Sequence, residues 1–225
     1  MTQTEENYLK AIYKVCERSG KPAGTNAVAE RLATSAASVT DMFKRLAEKE
    51  LLVYEKHKGV ELSTEGERLA TLLIRRHRLW EVFLTEKLDY QWDEVHELAE
   101  QLEHIQSDTL IDRLDTFLGE PRFDPHGDPI PDRNGHFAQR QQRPLAQLKP
   151  GDAGTVVGVA ESSTAFLQYL DKLRIQLGVQ VRVEEIYPFD QTIAVRLDGK
   201  SRQVLSPKVA QKILVQRSFH PRTEH

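Results

Sequence analysis

The sequence of 225 residues predicts a mainly α-helical fold with a small β component. Apolar residues recur at helical spacing through the first half of the chain, where no proline occurs between Ala23 and Glu120. Short β-type segments separated by polar turns follow later. We therefore expect a winged helix-turn-helix, a helical domain, a linker, a small β-barrel and a tail, over residues 1–70, 71–132, 133–144, 145–217 and 218–225.

The composition narrows the class of protein. Hydrophobic residues make up 39% of the chain, which is enough for a buried core, and the single cysteine excludes an intramolecular disulfide or a cysteine-only zinc site. No apolar run approaches about 18 residues, and the N-terminus lacks an apolar signal region. We expect a cytoplasmic protein with no membrane partner. Residues 71–144 hold 9 Lys and Arg against 15 Asp and Glu, an acidic excess that attracts cations.

The first 70 residues follow the pattern of a winged helix-turn-helix. The spacing predicts helices over 5–18, 25–33 and 36–50, then a strand over 51–55, a turn over 56–59 and a returning strand over 60–62. Two helices with a short break between them, followed by a small hairpin, are typical of this DNA-binding motif. Thr64 and Glu67 form an expected capping box for the next helix.

The second helix of such a motif enters the major groove of DNA. Its first residues are expected to face base edges, and the cations one turn later to contact phosphates. Ser35 could instead serve only as the helix cap. The predicted DNA-binding residues, including a basic wing tip, are Ser35, Ala37, Ser38, Thr40, Asp41, Lys44, Arg45, Lys56, His57 and Lys58.

Residues 93–107 are expected to form a helix with an unusual polar face. His96, Glu100, Glu103 and His104 fall within an arc of roughly 100° on this helix. The preceding helix carries His77 and Glu81 one turn apart. Histidine and carboxylate ligands without thiolate suit Mn(II), Fe(II) or Co(II), and would also bind zinc. The alternative is a solvated helix face with charged pairs.

The rest of the chain divides into a helix, a connector and a β-rich end. The expected helix over 108–118 has an apolar stripe that could belong to the core or to a dimer interface, formed by Leu110, Ile111, Leu114, Phe117 and Leu118. Five of the ten prolines fall within 119–144, which predicts a connector. Strands are expected at 154–159, 179–183 and 192–197, with a hairpin turn at Asp198-Gly199.

Five motifs occur in order along the chain: TEENYLKAIY, TSAASVTDMFKRL, RRHRLWEVFL, VHELAEQLEHIQSD and DPHGDPIP. Through these motifs, the sequence resembles the diphtheria-toxin-repressor and manganese-transport-regulator family of metal-dependent repressors. The resemblance covers residues 4–132, with a looser likeness over 145–217 to the SH3-like domain of that family.

The resemblance implies two metal sites, and thus two ions per subunit. The implied primary site consists of Asn7, Glu100, Glu103 and His104. The implied ancillary site consists of His77, Glu81 and His96, with Glu161 as a ligand from the C-terminal domain. Iron-sensing relatives have sulfur ligands at the positions of Asn7 and Glu100. This chain has oxygen donors at both positions, and oxygen donors favour Mn(II). Manganese-sensing relatives have an acidic residue where this chain has Lys10, so the ancillary layout is expected to be of the iron type.

The expected function is that of a Mn(II)-activated repressor of metal homeostasis, not an enzyme. The resemblance implies a homodimer on double-stranded DNA with a palindromic operator. One ion that joins the first helix to the dimerisation domain would fix the separation of the two recognition helices. The first alternative is an Fe(II)-dependent repressor of iron uptake. A dinuclear hydrolase and a metal-buffering protein are remote alternatives.

Overall fold

The computed structural model describes residues 1–55 and 59–217. The contacts within the chain divide it into two compact units. The first contains residues 1–80, 98–122 and 130–138, and the second contains residues 81–97, 123–129 and the chain from 139 onward. Among the described residues, none of the helices combines the length and the hydrophobicity of a membrane span.

The winged helix-turn-helix lies in the first unit. Its helices are α1 (Gln3–Ser19), α2 (Thr25–Arg31) and α3 (Ala36–Glu48), and its wing is formed by the antiparallel strands β1 (Leu52–Glu55) and β2 (Gly59–Leu62). A capping box between Thr2 and Glu5 starts α1. The apolar stripes meet in one core that includes Leu9, Ile12, Val28, Val39 and Leu46.

Helices α4 (Thr64–Leu88), α5 (Val95–Leu102) and α6 (Asp108–Phe117) follow the wing. The expected cap of α4 was wrong by one residue, because the Ser63 hydroxyl accepts the Gly66 N–H at 3.1 Å. The expected length of α5 was also wrong. Arg76 donates to the main-chain oxygen of Glu103 at 3.1 Å, and the chain turns there before Ser107 caps α6.

The C-terminal part of the second unit is an antiparallel six-stranded sheet with the order β3-β8-β4-β5-β6-β7. The sheet packs around a buried core that includes Val156, Leu167, Val183 and Ile213. Its strands are β3 (Arg143–Pro144), β4 (Ala153–Val159), β5 (Gln180–Ile186), β6 (Ile193–Leu197), β7 (Ser201–Leu205) and β8 (Ile213–Arg217). Two helices that the sequence analysis missed, α7 (Thr164–Lys172) and α8 (Pro207–Ala210), connect strands of this sheet.

Candidate metal centres and DNA-binding surface

A cluster of buried charged groups occupies the first unit, where α1, α4 and the end of α5 contribute side chains. Glu103 is 1% exposed, and its carboxylate accepts hydrogen bonds from Lys10 at 2.7 and 3.0 Å. His77 Nδ1 lies 2.6 Å from Oε2 of the same carboxylate. Burial raises the pKa of Glu103, but the hydrogen bond from His77 and the charge of Lys10 outweigh it and lower the pKa below its usual value. Glu103 is therefore a buried anion between two basic groups.

His104 lies between α1 and Glu103, with its Nε2 3.8 Å from Oε1 of Glu103. Its Nδ1 lies 2.6 Å from Oε2 of Glu6, a buried carboxylate. The neighbouring Asn7 is exposed and lines a groove of about 530 Å³ with residues of α3 that include Ser38 and Arg45. Among the described residues, Glu100, Glu103 and His104 do not gather their ligand atoms within 4.8 Å of one another. The structure thus brings Glu6, and not Asn7, to His104.

A second cluster lies wholly within the second unit and consists of Glu81, Asp124 and His126. All three residues are buried, and one ligand atom of each lies within 4.8 Å of the others. His126 Nδ1 is 3.7 Å from Oε2 of Glu81 and 4.0 Å from Oδ1 of Asp124. Two carboxylates and one imidazole, all buried, are a donor set that fits Mn(II) or Fe(II).

Local backbone structure holds the second cluster in place. Asp124 Oδ1 accepts the main-chain N–H groups of His126 and Asp128 at 2.8 and 2.9 Å, which forms a tight turn. Gly127 has a φ of 87°, and a Cβ at this position would lie 2.0 Å from the main-chain oxygen of Val157 on β4. Only glycine fits there. The segment that the sequence analysis interpreted as a connector therefore contains an ordered turn that carries potential metal ligands.

The main chain of Trp92 orients the imidazole of His126. The carbonyl of Trp92 is 2.8 Å from Nε2, and the indole stacks on the imidazole at a centroid distance of 6.3 Å. Nε2 donates to this carbonyl, so Nδ1 faces the carboxylates of Glu81 and Asp124. Burial lowers the pKa of His126, but the hydrogen bond and charge of Glu81 and the charge of Asp124 outweigh it and raise the pKa to about 9.

Two of the predicted ancillary ligands, Glu81 and His96, lie in the second unit. His96 Nδ1 lies 3.4 Å from Oε1 of Glu81, which places His96 beside the second cluster. His77 precedes Glu81 by one turn of α4 and contacts Glu103 as described above. Glu161 pairs with Lys212 at 2.7 Å and accepts a hydrogen bond from the Ser163 hydroxyl at 2.8 Å. Within the described part of the chain, Glu161 is not among the residues whose potential metal-ligand atoms gather within 4.8 Å of one another.

Asp124 and His126 are functional candidates that sequence reasoning missed. Both lie in the DPHGDPIP segment, which was noted only for its resemblance to a family motif. The signal that could have found them is a histidine two residues after an aspartate, next to a glycine, in an otherwise proline-rich segment. Their partner Glu81 is 43 residues earlier than Asp124 in the chain, so spacing alone does not join them.

The predicted DNA-reading side of α3 is exposed. Ala37, Ser38, Thr40, Asp41, Lys44 and Arg45 are all exposed, whereas Val39, Met42, Phe43 and Leu46 are buried. Ser35 does serve as the helix cap, because its hydroxyl accepts the Ser38 N–H at 3.1 Å. Asp41 pairs with Lys44 at 3.5 Å. The predicted wing-tip residues Lys56, His57 and Lys58 lie outside the described residues.

The apolar stripe of α6 is divided between the interior and the surface of the subunit. Ile111, Leu114 and Leu118 are between 5% and 9% exposed, so they pack inside the first unit. Leu110 is 40% exposed and Phe117 is 64% exposed. These two side chains are the most exposed part of the predicted dimerisation stripe.

Family models match three successive parts of the chain. Residues 1–60 match the iron dependent repressor N-terminal DNA binding domain, residues 63–132 the iron dependent repressor metal binding and dimerisation domain, and residues 143–217 the FeoA domain. The diphtheria toxin repressor of Corynebacterium jeikeium is 37% identical over 131 residues. That alignment spans 58% of this chain and 54% of the relative, so it covers about half of the relative's length.

Solved structures extend the likeness to nearly the whole chain. A manganese-dependent transcriptional repressor in complex with manganese is 38% identical, with a TM-score of 0.83, over 95% of this chain and 100% of the other. The manganese regulator SloR is 33% identical, with a TM-score of 0.73, over 97% of this chain and 100% of the other. The predicted fold class is confirmed, and the hydrolase alternative is set aside because such relatives are DNA-binding repressors. The chain belongs to the iron-dependent repressor family of metal-dependent transcriptional regulators.

Proposed function

We propose that this protein is a Mn(II)-activated transcriptional repressor that binds a palindromic operator as a homodimer. The observation that carries the proposal is the buried group of Glu81, Asp124 and His126, in a chain whose α3 exposes polar and basic side chains. The first feature suits a metal-ion sensor, and the second suits a reader of DNA.

The donor types support Mn(II) as the activating ion. The cluster offers carboxylate oxygens and an imidazole nitrogen, and the chain's single cysteine, Cys16, lies on α1. Oxygen-rich sites without thiolate suit Mn(II). Fe(II) is the second candidate, since it binds the same donors and several relatives carry the name iron-dependent repressor.

The residues of the second cluster would act by holding separate segments of the second unit together. A bound divalent ion would supply positive charge that offsets the carboxylates of Glu81 and Asp124. Glu81 lies on α4, which begins directly after the wing strand β2, whereas Asp124 and His126 lie on the turn that contacts β4. We propose that a bound metal ion draws this turn onto α4. This closure is the step by which metal availability would switch the protein to the form that binds DNA.

The DNA-bound form would be a symmetric dimer. Leu110 and Phe117 are the exposed apolar residues of α6 and are proposed to meet their counterparts across a two-fold axis. Two copies of α3 would then read half-sites about one helical turn apart. Ser38, Thr40 and Asp41 are proposed to face base edges, with Lys44 and Arg45 near phosphates.

The test is retention of genomic DNA fragments at physiological salt, with chelator, Mn(II) and anaerobic Fe(II) in parallel. We expect a palindromic sequence to be enriched only with Mn(II). Enrichment with Fe(II) at an equal or lower concentration would support the iron-dependent candidate. Absence of metal-dependent enrichment in every arm would contradict the repressor proposal.

A matched pair of variants connects that result to the cluster. His126→Ala removes the buried imidazole, and His136→Ala removes an exposed imidazole whose Nδ1 lies 3.5 Å from Oδ2 of Asp132. We expect metal-dependent retention to be lost in the first variant and kept in the second. Equal behaviour of the two variants would exclude His126 from metal sensing.

A further inference from the structure

The side chain of Lys10 ends among groups that are themselves potential metal ligands. Its Nζ lies 2.7 and 3.0 Å from the two carboxylate oxygens of Glu103 and 3.4 Å from Nδ1 of His77. A carboxylate oxygen of Glu100 lies 3.9 Å away. Lys10 is only 14% exposed, so its ammonium group is largely removed from water.

The surroundings of this ammonium group are those of a cation site. Two carboxylates and an imidazole nitrogen, from α4, α5 and the turn after α5, surround one point charge, and these are donor types that first-row divalent metals take in proteins. Glu103 is 1% exposed, and a carboxylate at such depth needs a partner of opposite charge. Arg76 is directed elsewhere, since it donates to the main-chain oxygen of Glu103 and pairs with Glu6 at 3.6 Å.

We propose that the Lys10 ammonium is a tethered cation that occupies a metal position between Glu103, His77 and Glu100. The lysine is covalently attached to α1, so this position stays filled at any concentration of metal. The first unit would then keep α1 joined to α4 and α5 without an ion. This inference rests on the proposed function only in taking the protein to be a binder of divalent metal.

A buried ion pair with no relation to metal is the competing explanation. Both explanations predict that loss of the lysine charge destabilises the fold. Only the tethered-cation explanation predicts that a dissolved divalent ion replaces the lysine. The number of bound ions therefore separates the two, and stability alone does not.

The experiment counts Mn(II) ions per subunit in the full chain, from the loss of the free Mn(II) EPR signal during titration. Lys10→Met removes the charge and retains a side chain of similar length, and Lys10→Arg keeps the charge. We expect Lys10→Met to bind one more Mn(II) per subunit than the wild type, and Lys10→Arg to bind the same number as the wild type. Adding Glu103→Gln to Lys10→Met is expected to remove the gained ion.

Thermal unfolding provides a second measurement in case Lys10→Met folds poorly. We expect its midpoint to rise more with Mn(II), relative to chelator, than the wild-type midpoint does. A variant that stays unfolded in Mn(II), or a folded variant with the wild-type ion count, would overturn the tethered-cation proposal. A wild-type chain that binds no Mn(II) or Fe(II) would contradict the proposed function, whereas a gain in Lys10→Met would still support the role of Lys10.

Discussion

The two buried clusters contain the same residue types but balance their charges differently. In the first unit, the carboxylate of Glu103 faces Lys10, whose Nζ approaches to 2.7 Å. In the second unit, Glu81 and Asp124 face His126, whose pKa their charges raise to about 9. One cluster thus holds a covalently attached ammonium group, and the other holds a proton on an imidazole.

This difference teaches which cluster can respond to a dissolved ion. An ammonium group at Lys10 competes with any incoming metal at the very high effective concentration of an attached group. A proton on His126 exchanges with solvent, so a metal can take its place at Nδ1. We therefore expect the first cluster to support the fold and the second cluster to sense metal.

The largest expected effect tests the structural role of the first cluster. Glu103→Ala leaves the ammonium of Lys10 and the imidazole of His77 without their shared carboxylate in a largely buried site. We expect the free energy of unfolding to fall by roughly 3 kcal/mol, the lower end of the cost of breaking a buried ion pair. Chemical denaturation in the presence of chelator measures this change.

Glu100→Ala is the matched control for that measurement. Glu100 is 54% exposed, and its oxygen lies 3.9 Å from Lys10, so its removal should cost less than about 1 kcal/mol. An equal loss in the two variants would mean that Lys10 does not discriminate between the two carboxylates. The contrast between a structural and a sensing cluster would then lose its main support.

The next effect is on metal affinity in the second cluster. His126→Ala removes the nitrogen ligand, and we expect the affinity for Mn(II) to fall by about 100-fold or more. The indole of Trp92 stacks on His126 and serves as a reporter, because Trp80→Phe leaves it as the only tryptophan. Fluorescence titration with Mn(II) in this background measures the change, with His136→Ala as the control. An unchanged affinity would refute the assignment of the second cluster as the sensing site.

The sequence predicts the winged helix-turn-helix well because its determinants are local. The apolar stripe of α3 and the cap at Ser35 can both be recognised within a few residues of the chain. Likewise, the histidines and carboxylates near α5 stand out by their helical spacing. Such short-range patterns decide where a helix begins and which of its faces is buried.

The sequence does not predict the contacts that tertiary structure creates. Periodicity extends this helix to residue 107, whereas the structure ends α5 at Leu102, just before the long-range contacts of Glu103 and His104. The resemblance points to Asn7, yet Glu6 contacts His104. Asp124 meets Glu81 only because a turn fixed by Gly127 lies against β4. No short-range sequence pattern predicts any of these pairings.

A smaller effect is expected from His96, the exposed neighbour of the second cluster. Its side chain is 50% exposed, and its Nδ1 lies 3.4 Å from Glu81. Because solvent competes at this position, we expect His96→Ala to weaken Mn(II) binding by about tenfold, less than His126→Ala does. The same fluorescence titration compares the two variants. A larger loss of Mn(II) affinity in His96→Ala than in His126→Ala would place the centre of the metal site nearer to His96.

The smallest effect is expected at Glu161, the ligand that the family resemblance implies for the C-terminal domain. Its carboxylate pairs with Lys212 at 2.7 Å and accepts a hydrogen bond from Ser163, which together lower its pKa. An ion at the second cluster could bind Glu161 only if the ion pair with Lys212 opened. The loss of that pair would offset part of the free energy gained from the additional metal ligand. We therefore expect Glu161→Gln to weaken Mn(II) binding by less than tenfold.

The variant Lys212→Met tests the role of Glu161 through an expected gain in Mn(II) affinity, in addition to the loss expected in Glu161→Gln. This variant frees the Glu161 carboxylate from its ion pair, while the hydrogen bond from Ser163 remains. If Glu161 is a ligand restrained by Lys212, Lys212→Met should strengthen Mn(II) binding, and the gain should vanish when Glu161→Gln is added. If neither variant changes the affinity, Glu161 belongs to the surface of the C-terminal sheet, and sensing rests on Glu81, Asp124 and His126. A loss in Glu161→Gln as large as in His126→Ala would instead make Glu161 a full ligand and require the Lys212 pair to open on binding.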